Sequence, residues 1–380
     1  MKRFNNRVVK NALLTFTTLI LVFMMACNST DTQSTVSNAN GQETNTEKIY
    51  NLKMNISQPP SQPGWEWEPK NIVTEVFAEL VKERTNGRVT IDLFYSNQLA
   101  GPGESLDALA RGTIDLQNGS FTEWADKVPE GNIASLPFLK MGEDHAQYLM
   151  RETEVGTLFE QALEEYGVKP LIYWPVSISG YMSTSPIASP DNFKGLIFNN
   201  HSNLTNDFYK TMGAGTASVP YAELYEAFLR GTIDVTQFSL YTLETYKLHE
   251  VVDAITVPTT LDPGLALVSI GKPSWDKLPA DLQKILLDVA LEIEYQSIEA
   301  SKQMTERTLD FAEKNNVEIV RLTEESYNQF VELSKEKVWA KFGDFNDRTK
   351  KMIEVVNEST KEWLEQNPDA KQNVEKYLAK

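Results

Sequence analysis

Apolar residues fall on every second position from Ile49 to Ile56 and again from Val89 to Tyr95, the spacing of half-buried strands. Between them, Ile72, Val73, Val76, Phe77, Leu80 and Val81 share one face of a helix predicted over 71–83, which Asn86-Gly87 stops. The linking stretch Gln58 to Pro69 holds four prolines and two tryptophans and reads as a loop. This strand–helix–strand alternation predicts an α/β chain with a largely parallel sheet.

One stretch occurs twice. Glu104 to Asp115 reads Glu-Ser-Leu-Asp-Ala-Leu-Ala-Arg-Gly-Thr-Ile-Asp, and Glu223 to Asp234 reads Glu-Leu-Tyr-Glu-Ala-Phe-Leu-Arg-Gly-Thr-Ile-Asp. Seven of twelve positions agree across a separation of 119 residues. Each copy is apolar at helical spacing, with Gly112 or Gly231 where a left-handed C-cap falls. Each then enters a short apolar run, Thr113–Leu116 or Thr232–Val235, read as a buried strand. Helix–glycine–strand units are common enough to match by fold alone. The other reading is two domains of similar plan, each offering a strand end to a shared crevice, where ligands of open α/β sheets sit.

Further along, a helical segment around His145 to Tyr166 precedes a strand candidate at Lys169–Trp174. Leu196–Phe198, Ala217–Pro220, Val251–Thr259, Leu265–Ile270 and Val317–Leu322 also read as strands, and Ser202–Met212 as a helix. From Pro279 to about Asn315 the apolar spacing stays helical without interruption, a span of ~55 Å at 1.5 Å per residue. Thr323 caps a helix that ends near Gly343, and the polar segment from Asn346 is read as a helical tail.

The chain has 380 residues, 41% hydrophobic and 23% charged, enough for a sizeable core in one to three domains. Formal net charge is −17. The first 26 residues carry Lys2, Arg3, Arg7 and Lys10 and no acid, so the remainder stands four units lower, at −21. That balance argues against nucleic acid as a partner, because phosphate contacts need Lys and Arg. The basic start and the apolar run Ala12–Ala26 read as a targeting segment, with that run too short to favour a transmembrane span. It ends at Cys27, the single cysteine, and so resembles a lipoprotein signal whose Cys is lipidated. An ordinary cleaved leader followed by a chance Cys is the alternative. Residues 27–47 are rich in Ser, Thr, Asn and Gln and read as a flexible tether.

Several short motifs, in order, identify a family resemblance. Leu80-Val-Lys-Glu-Arg-Thr-Asn-Gly-Arg88, Gln98-Leu-Ala-Gly, Gly112-Thr-Ile-Asp115, Pro186-Ile, Asp191-Asn-Phe-Lys-Gly195, Glu223-Leu-Tyr-Glu-Ala, Gly231-Thr-Ile-Asp234, Tyr246-Lys and Trp275-Asp-Lys-Leu-Pro279 resemble the DctP-type solute-binding proteins. These are the extracytoplasmic receptors of TRAP transporters. The resemblance runs from about residue 50 to 345. It implies a two-domain periplasmic-binding-protein-like fold with a central cleft, a hinge of crossing strands and a long helix spanning both domains. Expected boundaries are 48–174 plus about 264–303 for one domain, 175–263 plus about 304–345 for the other, and 346–380 for the tail. It also implies a small and a large membrane subunit as partners and a small organic solute as cargo. In the family, the strand after the Lys-Gly pair usually carries an Arg that clamps a carboxylate. That position corresponds to Asn199, and no arginine lies between Arg151 and Arg230. The expected ligand is therefore not a simple dicarboxylate.

Candidate ligand-binding residues are those at predicted strand ends and crevice loops. They are Trp65, Glu66, Trp67, Phe121, Trp124, Trp174, Tyr181, Asn199, Asn200, Gln237, Phe238 and Tyr241. Aromatic walls with few polar groups suit a closed ligand site, although any single Trp is as readily a core residue. No catalytic residue, metal site or cofactor is expected. His145, His201 and His249 match no metal spacing, and no nucleophile elbow, P-loop or dinucleotide fingerprint occurs. A surface sensor with the same fold, or an extracellular hydrolase or lyase, are the competing functions. The expected location is extracytoplasmic, lipid-anchored to the cell membrane.

Overall fold

A computed structural model describes residues 48–369 together with 378 and 379. The leader, Cys27 and the tether lie outside the described residues. The strands are β1 (Tyr50–Ile56), β2 (Val89–Phe94), β3 (Leu116–Ser120), β4 (Val168–Ser183), β5 (Ile197–Asn199), β6 (Gly215–Ala217), β7 (Val235–Ser239), β8 (Ala254–Val257), β9 (Leu261–Gly271) and β10 (Glu318–Arg321). The helices that matter here are α1 (Phe77–Arg84), α2 (Pro102–Arg111), α3 (Glu143–Arg151), α4 (Glu154–Glu164), α5 (Asn206–Thr211), α6 (Leu224–Leu229), α7 (Ala280–Lys314), α8 (Glu324–Ser334) and α9 (Asp347–Gln366).

The sheet runs β2-β1-β3-β9-β4-β7-β5-β6, with β8 and β10 branching from β4. It contains two like halves. In one, β1 lies between parallel β2 and β3; in the other, β5 lies between parallel β6 and β7. Helical crossovers link the parallel neighbours, as parallel pairing demands. The halves meet through two long antiparallel strands. β4 pairs with β9 from Val168 to Ser179 and then with β7 from Ser179 to Ser183, while β9 pairs with β3. These are the crossing strands that the fold class requires. Register shifts at Pro170/Ile172, Pro175/Ser177 and Ser177/Ser179 bend β4 where it passes between the halves.

Sequence pattern found β4 only as Lys169–Trp174. Its second half, Pro175-Val-Ser-Ile-Ser-Gly-Tyr-Met-Ser183, is buried on both faces with serines among the apolar residues, so neither alternation nor an apolar run marks it. The repeat needs a correction as well. Thr113-Ile-Asp115 and Thr232-Ile-Asp234 are bends, and the strands start at Leu116 and Val235. The Thr113 and Thr232 amides donate to Ala108 O and Ala227 O, closing the preceding helix past left-handed Gly112 (φ 68°) and Gly231 (φ 67°). The chain must turn there before it can extend. Asp115 and Asp234 play the same part in both copies. Each carboxylate accepts, at 2.8 Å, from a backbone amide of the neighbouring strand, Lys53 or Ile197. The segment read as one helix around His145 is two, α3 and α4, divided at Thr153, whose hydroxyl caps α4.

The 35-residue α7, about 52 Å long at 1.5 Å per residue, begins after Pro279 and serves both halves. Leu282, Leu286, Val289 and Ile293 pack with α1 and the β1–β3 half; Ala312 packs with the core over β7 and β8. Each of the buried Leu, Val and Ile side chains contributes ~1.5–3 kcal/mol. Midway along, Glu294 is buried and accepts from Arg151 Nε (3.0 Å), Arg151 Nη2 (2.5 Å) and the Tyr173 amide (2.8 Å). This ties α7 to α3 and to β4. A third cluster on the opposite side takes residues from both halves, including Phe159, Phe193 and Phe330. The segment from Asn346 is α9, capped by Asn346 and buried along Met352, Val355, Val356 and Trp363.

Candidate ligand cleft

The C-terminal ends of β1 and β3 lead into loops 57–68 and 121–128; those of β5, β6 and β7 lead into 200–202, 218–220 and 240–241. In parallel units joined by helical crossovers, such loops gather on the carboxyl edge of the sheet. On the first half, that edge is polar and internally bonded. Asn55 Nδ2 donates to Gln117 Oε1 (2.8 Å), and Gln117 Nε2 donates to Ser57 Oγ (3.0 Å) and Glu123 Oε2 (3.1 Å). Glu123 Oε1 accepts from the Ser120 amide at 3.0 Å. Burial pushes the Glu123 carboxyl above its usual range, against these hydrogen bonds.

On the second half, Asn199 ends β5 and is buried. Its Oδ1 accepts from the Val219 amide (2.8 Å), and its Nδ2 donates to Val219 O (3.3 Å) and Thr236 Oγ1 (3.4 Å). The amide thus braces β5, β7 and the loop after β6. A guanidinium could not accept from Val219, so the arrangement is specific to a side chain with both a donor and an acceptor. Asn200 is also engaged, donating to Asn206 Oδ1 (2.6 Å) and accepting from Thr205 Oγ1 (2.9 Å). Gln237 Oε1 accepts from Tyr209 Oη at 3.0 Å.

Two residues beyond Val219 and Thr236, the partners of Asn199, come Tyr221 and Phe238, which form an aromatic shelf. Phe238 and Tyr221 stack at 4.2 Å and 6°; Tyr246 meets Phe238 edge-on at 5.8 Å, and His201 lies 4.7 Å from Tyr221. Tyr221 and Tyr246 keep 40% and 41% of their surface in solvent. Sequence reasoning missed Tyr221, Tyr246 and His201. The available signal was the aromatic next to Pro220 at the end of β6, hidden because it directly precedes the repeated helix.

A second aromatic group joins Trp65, Trp67 and Tyr241. Trp65 stacks on Trp67 at 5.8 Å and lies 6.2 Å from Tyr241, with the Arg307 guanidinium 4.6 Å from its ring centre. Arg307 was not foreseen. Glu68 is buried and paired with Lys70 at 3.1 Å; burial, with Glu68 adding, pushes the Tyr241 hydroxyl up. Glu66 points its carboxylate at the Gly64 amide (3.0 Å), and backbone hydrogen bonds hold its pKa below the usual range.

Four candidates lie in the core. Phe121 stacks on Phe159 at 4.8 Å, and Trp124 donates its indole N–H to Ser105 Oγ at 2.8 Å. Trp174 is fully buried and donates to Asn118 Oδ1 at 3.0 Å. Tyr181 is packed among Phe193, Phe198, Tyr209 and Phe330. Phe121 and Trp124 belong to loop 121–128 and Trp174 and Tyr181 to β4, and all four side chains are buried. Among the described residues, no cluster of His, Cys, Asp and Glu has metal-binding geometry, and no helix is long and apolar enough to cross a membrane.

Comparison with known proteins adds the remaining context. The model of the family described as bacterial extracellular solute-binding protein, family 7 (DctP) matches residues 66–344. A solute-binding protein of Albidiferax ferrireducens is 24% identical over 290 residues, covering 74% of this chain and 84% of that one. The 2,3-diketo-L-gulonate-binding periplasmic protein YiaO of Escherichia coli is 26% identical over 258 residues, covering 67% and 77%. The crystal structure of a TRAP periplasmic solute-binding protein from Rhodoferax ferrireducens with bound malonate superposes with a TM-score of 0.72. It is 22% identical and covers 82% of this chain and 99% of its own.

Proposed function

Since the chain belongs to the DctP family of bacterial extracellular solute-binding proteins, we propose that it is the receptor of a TRAP transporter that captures a small organic solute without a charged clamp. In this reading the two domains are 48–174 with about 264–303 and 175–263 with about 304–345, turning about the β4/β9 crossing. Closure of the hinge type then brings the two loop edges onto the solute. A small and a large membrane subunit receive it from the closed form. Cys27 carries the lipid that keeps the receptor at the outer face of the cell membrane. Loss of membrane association in Cys27→Ala, with the chain recovered in the soluble extracytoplasmic fraction, is the expected outcome there.

What supports an unusual cargo is the end of β5. One relative is named for binding 2,3-diketo-L-gulonate, and one similar solved structure holds malonate, both acids. Here the Asn199 amide is engaged by Val219 and Thr236, and two residues beyond each of these partners lie Tyr221 and Phe238, which stack on one another. Such a shelf takes a flat apolar face, an aromatic ring or the face of a sugar, at ~0.5–1.5 kcal/mol per ring contact beyond area burial. Asn199, Asn200, Gln237, Phe238 and Tyr241 from the second half, with Trp65, Glu66 and Trp67 from the first, remain the proposed lining, and Tyr221 joins them. A thermal-shift panel tests it. Uncharged or cationic ring compounds should raise the melting temperature more than succinate or malate. Tight binding of either dicarboxylate would overturn a site that has no cationic clamp.

A further inference from the structure

The loop bearing Trp65 and two of the residues it touches, Tyr241 and Arg307, belong to different halves. Loop 57–68 leads into α1, whose Phe77 and Val81 sit in the core of the β1–β3 half. Tyr241 lies between Leu240 and Leu243, both in the core over β7 and β8, and Arg307 is five residues before Ala312 of that same core. Yet they meet. Trp65 is 9% exposed, with the Arg307 guanidinium 4.6 Å from its ring centre and Tyr241 at 6.2 Å. Arg307 is fixed from the other side by a two-point contact with Glu244, Nε to Oε2 at 3.2 Å and Nη2 to Oε1 at 2.7 Å. A cavity of about 600 Å3 lies beside the cluster, between Trp67 and the Gln303, Asp310 and Lys314 face of α7.

We propose that Trp65, Arg307 and Glu244 form a closure latch, resting on the two-domain receptor described above. The planar guanidinium suits both partners at once, its face to the indole and its edge to the carboxylate. Pro59, Pro60 and Pro63 restrict the loop, so Trp65 moves with its own half rather than following Arg307. Rotation about the β4/β9 crossing therefore lifts the indole off the guanidinium and exposes both. Closure is thus stabilised by the protein's own contact, in addition to whatever the solute supplies. The latch lies on α7, which packs in both cores.

Small-angle scattering on the chain from Cys27 onward, unfolded and refolded to strip any solute, reads the latch directly. Arg307→Ala should raise the radius of gyration relative to the unsubstituted chain and red-shift the tryptophan emission as Trp65 meets water. Arg307→Lys, which keeps the charge but loses the planar fork, should fall between. The Arg307 side chain is 45% exposed, so the substitution spares the core, and circular dichroism verifies the fold. Glu244→Gln provides a second variant that leaves the ring contact possible and should give a smaller shift. Identical dimensions and emission for Arg307→Ala and the unsubstituted chain overturn the latch. Native mass spectrometry before stripping separates the two ideas. A captured solute with unchanged dimensions in Arg307→Ala overturns the latch and leaves the receptor standing. A chain that never carries solute, yet expands in Arg307→Ala, supports the latch while removing the receptor.

Discussion

His145 shows how a single side chain can couple this fold to pH. Its Nδ1 accepts from the Met141 amide at 3.2 Å, its Nε2 pairs with Thr360 Oγ1 at 3.3 Å, and its ring packs 4.6 Å from Trp363. An acceptor role for Nδ1 requires the neutral imidazole. Burial, with Lys140 adding, lowers its pKa to about 3. The unfolded state therefore binds a proton near pH 6.5 that the folded state refuses until about pH 3. Stability from this residue is complete above pH 6.5 and is lost as pH falls toward 3. Between pH 7 and pH 5 the loss amounts to about 2 kcal/mol. Urea titrations at both values should show that difference shrinking by about this amount in His145→Gln. An equal pH response in both proteins would refute the assignment. Glu294 is a second residue-scale case. Its carboxylate is fully buried and faces Arg151, so Glu294→Leu leaves a cation without its partner and should cost ~3 kcal/mol. Replacing both, Glu294→Leu with Arg151→Met, should recover part of that loss, measured as a coupling energy in denaturant melts.

At the scale of elements, the duplicated unit makes a matched pair of experiments. Gly112 and Gly231 both take left-handed backbone angles at the end of the repeated helix. A side chain at Gly231 meets open space, so Gly231→Ala pays only for the backbone, ~1 kcal/mol. A Cβ at Gly112 lies 3.2 Å from Pro273 Cβ, so Gly112→Ala should destabilise more than its counterpart. Equal unfolding midpoints for the two would contradict the geometry. The same unit shows what sequence can and cannot reveal. The helix and its glycine stop were legible because the spacing and the C-cap are local. The first residues of the strand were not, because Thr113 and Thr232 turn back to bond the helix and the carboxylates of Asp115 and Asp234 reach to a neighbouring strand. The length of β4 escaped for a related reason. A strand buried on both faces, with hydroxyls bonded internally, has no period to read. α7 was legible along almost its whole length, since 35 residues of one period leave little room for another reading.

For the whole molecule, the order of motifs was enough to indicate two like halves joined by crossing strands. The site was less legible. Trp124 and Trp174, candidates from sequence, donate their indole N–H groups to Ser105 and Asn118, partners 19 and 56 residues away. No local pattern encodes such pairings, and the exposed Tyr221 and Tyr246 are set apart from them only by packing. The central claim is that this chain holds a small organic solute unchanged between its halves, on an aromatic and uncharged shelf. Native mass spectrometry of the protein as purified from cells tests it most directly. The expected spectrum shows the chain with a bound small molecule that is released intact and lacks two carboxyl groups. Succinate or malate in that position, or a bare chain in every preparation, would contradict it.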